Sequence, residues 1–212
     1  MRVLAVPVKP LALAKSRLAG LLTPHERAEL TIAMASDVVA ACLEQPGWQT
    51  WLVTRDQRMR GMAAGWGARP FPESATSLLG AVRQVEAAVA DGELAIVLGD
   101  LPAVTGSAVA AALAVPADVV AARAASDGGT NLLVRRPASV IRARFGTDSF
   151  AKHAWAARRA RVSFEAVDDP ALAFDLDRPR DVARLFEPHA RHGLARAAAE
   201  RMGLAERLRA YA

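Results

Sequence analysis

Apolar residues recur along this chain in two patterns, and the alternation between them predicts strands and helices by turns. Residues 2–8 and 94–98 are almost continuously apolar, as expected of strands covered on both faces in a parallel sheet. Residues 48–54, 68–71, 117–122, 131–134 and 162–167 predict further strands, and 171–177 the end of another. A helix is expected from Thr23-Pro24-His25-Glu26, with Thr as N-cap, Pro in the first turn and Glu three residues after the cap. It runs to about Leu43, and Pro46-Gly47 ends the connection. Helices are also expected over 57–65, 75–90, 105–115, 149–160, 179–186 and 194–210. This order predicts an open α/β sheet whose ligands gather beyond the carboxyl ends of the strands.

The 212 residues read as one domain, with residues 189–212 as a helical C-terminal extension. With 52% hydrophobic and 23% charged residues, the composition is that of a globular chain with a substantial core. No apolar run reaches the length of a membrane span, and the N-terminal apolar segment is too short for a signal peptide. Cys42 is the only cysteine, which excludes a disulfide framework and a cysteine zinc cluster; a cytoplasmic location is expected. The formal net charge of +5 is spread along the chain without a basic block, so neither a nucleic-acid nor a membrane partner is expected. Only Lys9, Lys15 and Lys152 are lysine; the other 24 of the 27 basic residues are arginine. A compact ammonium differs chemically from a planar guanidinium, so sites that keep lysine are candidates for a point charge.

Four segments can carry chemistry. The loop after the first strand holds Lys9, Lys15 and Arg17; it is either a seat for nucleotide phosphates or a solvated basic loop. It lacks the P-loop pattern, and no Gly-x-Gly-x-x-Gly follows the strand. Gly99-Asp100-Leu101-Pro102 ends the apolar strand at 94–98. Its Asp100 either ligates magnesium or sits in an ordinary turn, and Gly99 permits close approach of a ligand. In Phe174-Asp175-Leu176-Asp177, an extended backbone would put Asp175 and Asp177 on one face, suiting metal ions; alternatively Asp177 only starts a helix. Finally, Asp127-Gly128-Gly129-Thr130-Asn131 and Phe145-Gly146-Thr147-Asp148-Ser149-Phe150-Ala151-Lys152-His153 read as a seat for a phosphate or carboxylate, or as two turns and a capped helix. His25, His189 and His192 fit no metal-ligand spacing and read as surface residues.

With Val6-Pro7-Val8-Lys9 and Ala14-Lys15-Ser16-Arg17-Leu18, these stretches resemble, in order and spacing, the guanylyltransferases of deazaflavin coenzyme biosynthesis. That family activates 2-phospho-L-lactate, phosphoenolpyruvate or 3-phosphoglycerate. The resemblance implies a Rossmann-like three-layer α/β/α nucleotidyltransferase fold with a mostly parallel sheet, GTP and a small phosphorylated acid as substrates, and Mg2+ as cofactor. It implies that Asp100, Asp175 and Asp177 hold the metal, that Thr130, Gly146 and Ser149 receive the acid, and that Lys15 and Arg17 face the GTP phosphates. Asn131 and Lys152 join the acceptor set, Lys9 and Gly99 the nucleotide set, and Lys15, Arg17 and Asp100 are the catalytic candidates. Where the family has a Gly-Leu-Asn-like turn near the nucleotide, this chain reads Ser77-Leu78-Leu79-Gly80. The tail after His189 has no counterpart in the pattern; packing or a homodimer would account for it. The competing readings are transfer to another acceptor, such as a molybdopterin or a sugar phosphate, and a non-enzymatic nucleotide-binding protein.

Overall fold

The computed structural model describes residues 1–187 and 190–211; His189 lies outside them. Seven strands form one sheet: β1 (Arg2–Pro7), β2 (Gln49–Thr54), β3 (Arg69–Pro72), β4 (Glu93–Val97), β5 (Val119–Arg123), β6 (Thr130–Arg135) and β7 (Phe164–Val167). Their spatial order is β3-β2-β1-β4-β6-β5-β7. Neighbours run parallel except at β6, which is antiparallel to both β4 and β5. The reversal matters for the site. The first residues of β6, Thr130 and Asn131, are thereby brought to the edge where β1, β2, β3 and β4 end.

The helices are α1 (Pro24–Leu43), α2 (Gln57–Ala63), α3 (Leu78–Val89), α4 (Gly106–Ala114), α5 (Ser149–Ala160), α6 (Pro170–Ala173), α7 (Pro179–Val182), α8 (Leu194–Arg201) and α9 (Leu204–Tyr211). Thr23 and Glu26 close the expected capping box at the start of α1, each side chain accepting from the other's backbone N–H. Val3, Leu4, Ala5 and Val6 are fully buried because the sheet is covered on both faces. Leu4 and Val6 pack with residues of α1, α2 and α4, whereas Val3 and Ala5 pack with α3 and α5. Three layers result. Among the described residues, no helix is long and apolar enough to cross a membrane.

Two expectations are corrected. Residues 171–177 form no strand: Pro170–Ala173 is a turn of helix, and the residues after it pair with no strand of the sheet. The expected helix over 194–210 is two helices, broken at Gly203 with φ +63°. The loop from Lys9 is also more ordered than expected, with short 3-10 turns at Leu11–Leu13 and Ser16–Leu18.

A third core lies beside the sheet. It joins Leu18 and Leu22 of this loop, Leu30 and Met34 of α1, Phe174 and Leu176, and Ala195, Ala198 and Leu204 of the C-terminal helices. The buried Asp37 of α1 accepts from the backbone N–H of Leu194 at 3.0 Å and of Ala195 at 2.9 Å, capping α8 from another helix. Gly193 makes room for it, since a Cβ there would stand 2.7 Å from Asp37 Oδ2. The C-terminal helices thus pack against their own chain. Asp37→Ala is expected to cost about 1–2 kcal/mol, seen as a lower urea midpoint at unchanged slope; an unaltered midpoint would show that apolar contact alone docks the tail.

Candidate active site

Each strand of the parallel half of the sheet delivers a residue to one cavity of about 570 Å3 along the carboxyl edge. Glu73 follows β3, Arg55 follows β2, the Lys9–Arg17 loop follows β1, and Gly99 and Asp100 follow β4. Thr130 opens β6 at the far end. Strand spacing of about 4.8 Å sets β3 about 19 Å from β6, so the cavity is an elongated cleft.

At its middle, Lys15 Nζ donates to Asp100 Oδ2 at 2.8 Å and to Asp177 Oδ1 at 3.2 Å. Arg17 Nη1 donates to Asp177 Oδ2 at 2.6 Å. The Lys15 side chain is only 6% exposed. Burial by itself lowers the lysine pKa, but the Asp100 and Asp177 carboxylates outweigh it and hold the ammonium above its ordinary value. At Asp177 burial raises the pKa, and Lys15 followed by Arg17 and Lys9 brings it below the ordinary value. Lys15 itself takes the left-handed conformation, φ 50° and ψ 37°, which costs a non-glycine residue about 1 kcal/mol.

Asp175 and Asp177 reach this point without a sheet ladder. Leu176 N–H donates to the Asp100 carbonyl oxygen at 3.1 Å, tying the segment to the end of β4. Phe174 and Leu176 are buried in the third core while Asp175 and Asp177 line the cavity. The expected alternation is therefore present, although packing produces it and not strand pairing. Asp175 Oδ2 accepts from Ser126 Oγ at 2.8 Å. Burial raises the Asp175 pKa; the Ser126 hydrogen bond opposes the rise and the nearby Asp100 adds to it.

Two oxygens here, Asp100 Oδ1 and Asp175 Oδ1, are buried without a hydrogen-bond partner among the described residues. Carboxylate oxygens left bare inside a protein are costly, and a hard divalent cation is a partner of the right chemistry for them. As placed, no three or more Asp, Glu, His or Cys side chains among the described residues form a ready metal cage. The oxygens that would complete one are engaged by Lys15 and Arg17.

The acceptor candidates divide. Thr130, Asn131 and Gly146 line the cavity. Asn131 spends its amide on the Leu172 carbonyl at 2.9 Å, which anchors α6. Gly146 has φ +119°, a conformation that favours glycine. Ser149 is fully buried behind Thr130, donating to its Oγ1 at 3.1 Å. Lys152 is not among the residues that line the cavity; it donates at 2.7 Å to the carbonyl of Thr147, which is. Of the two readings of this segment, the start of α5 fits the turns better than the anion seat, because the N–H groups of Ser149 and Phe150 donate to the carbonyls of Gly146 and Gly128. Gly99 serves packing as well: a Cβ there would stand 2.7 Å from Val8.

Sequence reasoning missed the part played by His153 and the ends of β2 and β3. Arg55 and Glu73 stand at strand ends just as Asp100 nearly does, and the same rule applied to every strand would have found them. His153 is fully buried. Its Nε2 accepts from Arg144 N–H at 2.8 Å, which assigns the proton to Nδ1, 3.0 Å from Thr130 Oγ1. Thr130 Oγ1 then accepts from both His153 and Ser149, and its own hydroxyl proton has no acceptor among the described residues. Burial, then the charges of Arg135, Arg144 and Lys152, lower the His153 pKa to about 4. In the unfolded chain an ordinary histidine takes up its proton near pH 6.5, so the neutral His153 adds stability above that pH and loses it as pH falls toward 4. The stability gap between wild type and His153→Asn should change in the mutant's favour by on the order of 3 kcal/mol from pH 7 to pH 4; a constant gap in denaturant titrations would contradict a neutral ring.

Comparison with known proteins places this geometry in a family. Residues 1–203 match the family described as guanylyl transferase CofC like. The chain is 37% identical over 185 residues to a phosphoenolpyruvate guanylyltransferase of Chloroflexus aggregans, covering 82% of this chain and 91% of that protein. It is 36% identical over 182 residues to a 3-phospho-D-glycerate guanylyltransferase of Phenylobacterium zucineum, covering 81% of this chain and 84% of that one. A solved structure from Desulfovibrio desulfuricans G20, provisionally named a nucleotide-diphospho-sugar transferase, superposes with a TM-score of 0.77 at 18% identity, covering 100% of this chain and 99% of its own. That likeness shows the fold, a nucleotidyltransferase-like α/β sandwich. The family match over nearly the whole chain shows more: this protein belongs to the CofC-like guanylyl transferases.

Proposed function

We propose that this protein transfers GMP from GTP to the phosphate of a small phosphorylated carboxylic acid. The acids named for its relatives, phosphoenolpyruvate and 3-phospho-D-glycerate, are the first candidates, with 2-phospho-L-lactate beside them. The observation that carries the reading is the Lys15–Asp100–Asp177 knot at the centre of a two-ended cleft. A nucleotide would lie from β3 to the knot, and the acid from the knot to Thr130.

A phosphate oxygen of the acid attacks the α-phosphorus of GTP, the bond to the β-phosphate oxygen breaks, and pyrophosphate leaves. The attacking phosphate is already anionic near neutral pH, so the protein needs no strong base and no covalent nucleophile. What it supplies is position and neutralisation of charge. Lys9, Arg17 and Arg55 bring cations to the polyphosphate, and Lys15 keeps its charge beside the reacting centre because two carboxylates stabilise it. Thr130, set as a donor by His153, and the open backbone at Gly146 hold the acid. The bare oxygens of Asp100 and Asp175 fit magnesium, with Asp177 as the third carboxylate; the ion would neutralise phosphate charge and polarise the phosphoryl oxygens.

Pyrophosphate release measured with GTP, ATP and CTP crossed against the three acids tests donor and acceptor together. Turnover is expected with GTP and at least one acid, and silence in every combination would overturn the reading. Asp100→Asn and Asp177→Asn should each lower kcat by about 100-fold or more while the fold survives; near-normal turnover by either folded variant would remove that carboxylate from the mechanism. Thr130→Val should raise KM for the acid by about tenfold and leave KM for GTP nearly unchanged.

A further inference from the structure

The nucleotide end of the cleft holds a group to which the transfer reaction gives no task. Glu73 follows β3 directly and lines the cavity, and its Oε2 is buried without a hydrogen-bond partner among the described residues. A polar oxygen shut away from water and left unsatisfied destabilises a fold, so its persistence at a ligand cavity points to a partner that arrives with the ligand. That partner must bring hydrogen-bond donors, because a carboxylate has none to offer.

The loop that carries Glu73 is built to hold it still. Ser74 N–H donates to Gln84 Oε1 at 3.1 Å, and Gln84 Nε2 donates back to Ser74 Oγ at 3.0 Å, so the loop is pinned to α3 from both sides. Ser77 caps α3 by accepting from Gly80 N–H at 3.1 Å. Gly80 lets the loop lie against the helix, since a Cβ there would stand 2.6 Å from Ala75 Cβ. Such bracing suits a recognition group whose position is fixed before the ligand enters.

Position says which part of the ligand Glu73 meets. β3 lies two strands from β1, about 10 Å from the loop that carries Lys15. With phosphates at Lys15, the ribose comes next and the base beyond it, at β3. Phosphates would be repelled by a carboxylate, and the other acidic side chains lining the cavity, Asp100, Asp127, Asp175 and Asp177, stand at its middle and acceptor end. Guanine presents N1–H and the 2-amino group side by side, two donors for the two oxygens of one carboxylate. Adenine has an acceptor at N1 and no 2-amino group, and cytosine has no such pair.

We propose that Glu73 is the base-reading residue of this protein, its carboxylate accepting from N1–H and the 2-amino group of guanine. The inference rests on the cleft being the GTP site. It also accounts for a Ser77-Leu78-Leu79-Gly80 turn whose leucines offer no polar group: discrimination sits one short loop earlier, on Glu73.

The test uses the full chain with one accepted acid and four donors: GTP, ITP, 2′-deoxy-GTP and ATP. ITP lacks only the 2-amino group, and the deoxynucleotide lacks only a ribose hydroxyl. Wild type should favour GTP over ITP by about tenfold or more in kcat/KM, the scale of a hydrogen bond to a charged group. Glu73→Gln should lower kcat/KM for GTP by about 10- to 100-fold, mainly through KM, and bring the GTP-to-ITP ratio toward one while KM for the acid stays put. Because the Gln amide sets a donor against the donors of guanine, it should be at least as damaging as Glu73→Ala. Equilibrium binding of GTP and ITP gives the same ratio if a variant turns over too slowly. An unchanged ratio in both variants overturns the proposal, as does loss of discrimination against 2′-deoxy-GTP instead of ITP, which would place Glu73 on the ribose. Silence of the wild type with every donor and acid would instead bring down the enzymatic reading, and this inference with it.

Discussion

The site depends on one buried ammonium. Lys15 brings a positive charge out of water, which costs several kcal/mol before any partner is counted. Asp100, 85 residues along the chain, and Asp177, 162 residues along, offset that cost. Remove either carboxylate and the other must hold a buried cation alone; remove the lysine and two acids face each other beside a third. Asp100, Asp175 and Asp177 bring three carboxylates to this point, met by the buried Lys15 and by the exposed Arg17. Asp100 Oδ1 and Asp175 Oδ1 stay without a partner among the described residues, and the proposed magnesium would answer them.

Holding the knot together falls to the third core. Residues 174–177 have no strand to lie against, so their position rests on burial of Phe174 and Leu176, on the Leu176 bond to Asp100, and on Asp181. The Asp181 carboxylate accepts from the N–H groups of Asp177 and Arg178, fixing the backbone that presents Asp177. Asn131 secures the other flank through Leu172. The C-terminal helices close this core over α1, with Asp37 as the polar anchor. A tail that looks accessory in the sequence therefore supports the acidic side chains at the centre of the cleft.

Much of this was legible before any coordinates. Continuous apolar runs announced buried parallel strands, Thr23 and Glu26 announced α1, and Asp100 after 94–98 announced a carboxylate at the sheet's edge. Period-two alternation in Phe174-Asp175-Leu176-Asp177 told correctly which side chains share a face, but it misled about why. A strand half-buried in a sheet and an extended segment packed on a separate core leave the same pattern. Spacing near Ser149 and Lys152 failed for a related reason: it marks a helix start without saying which way each side chain turns, and Ser149 went behind Thr130 while Lys152 went to the Thr147 carbonyl. His153 was read only as part of the expected phosphate or carboxylate seat; its place behind Thr130 is fixed by the Arg144 N–H, a backbone group that no sequence pattern displays.

The chain's strong preference for arginine bears on the same knot. A guanidinium is planar and pairs best edge-on with one carboxylate, whereas an ammonium offers three donors around a single point. At residue 15 that point must serve Asp100 and Asp177 together, at 2.8 and 3.2 Å, within a side chain that is 6% exposed. An arginine would extend past one acid in order to satisfy the other, and would carry its bulk into the cavity that Lys15 lines. Arg17, two residues on and 62% exposed, has one carboxylate to meet and room to meet it, and there the chain reverts to arginine. The choice between the two cations thus follows from how many acids converge on each: two on Lys15 and one on Arg17.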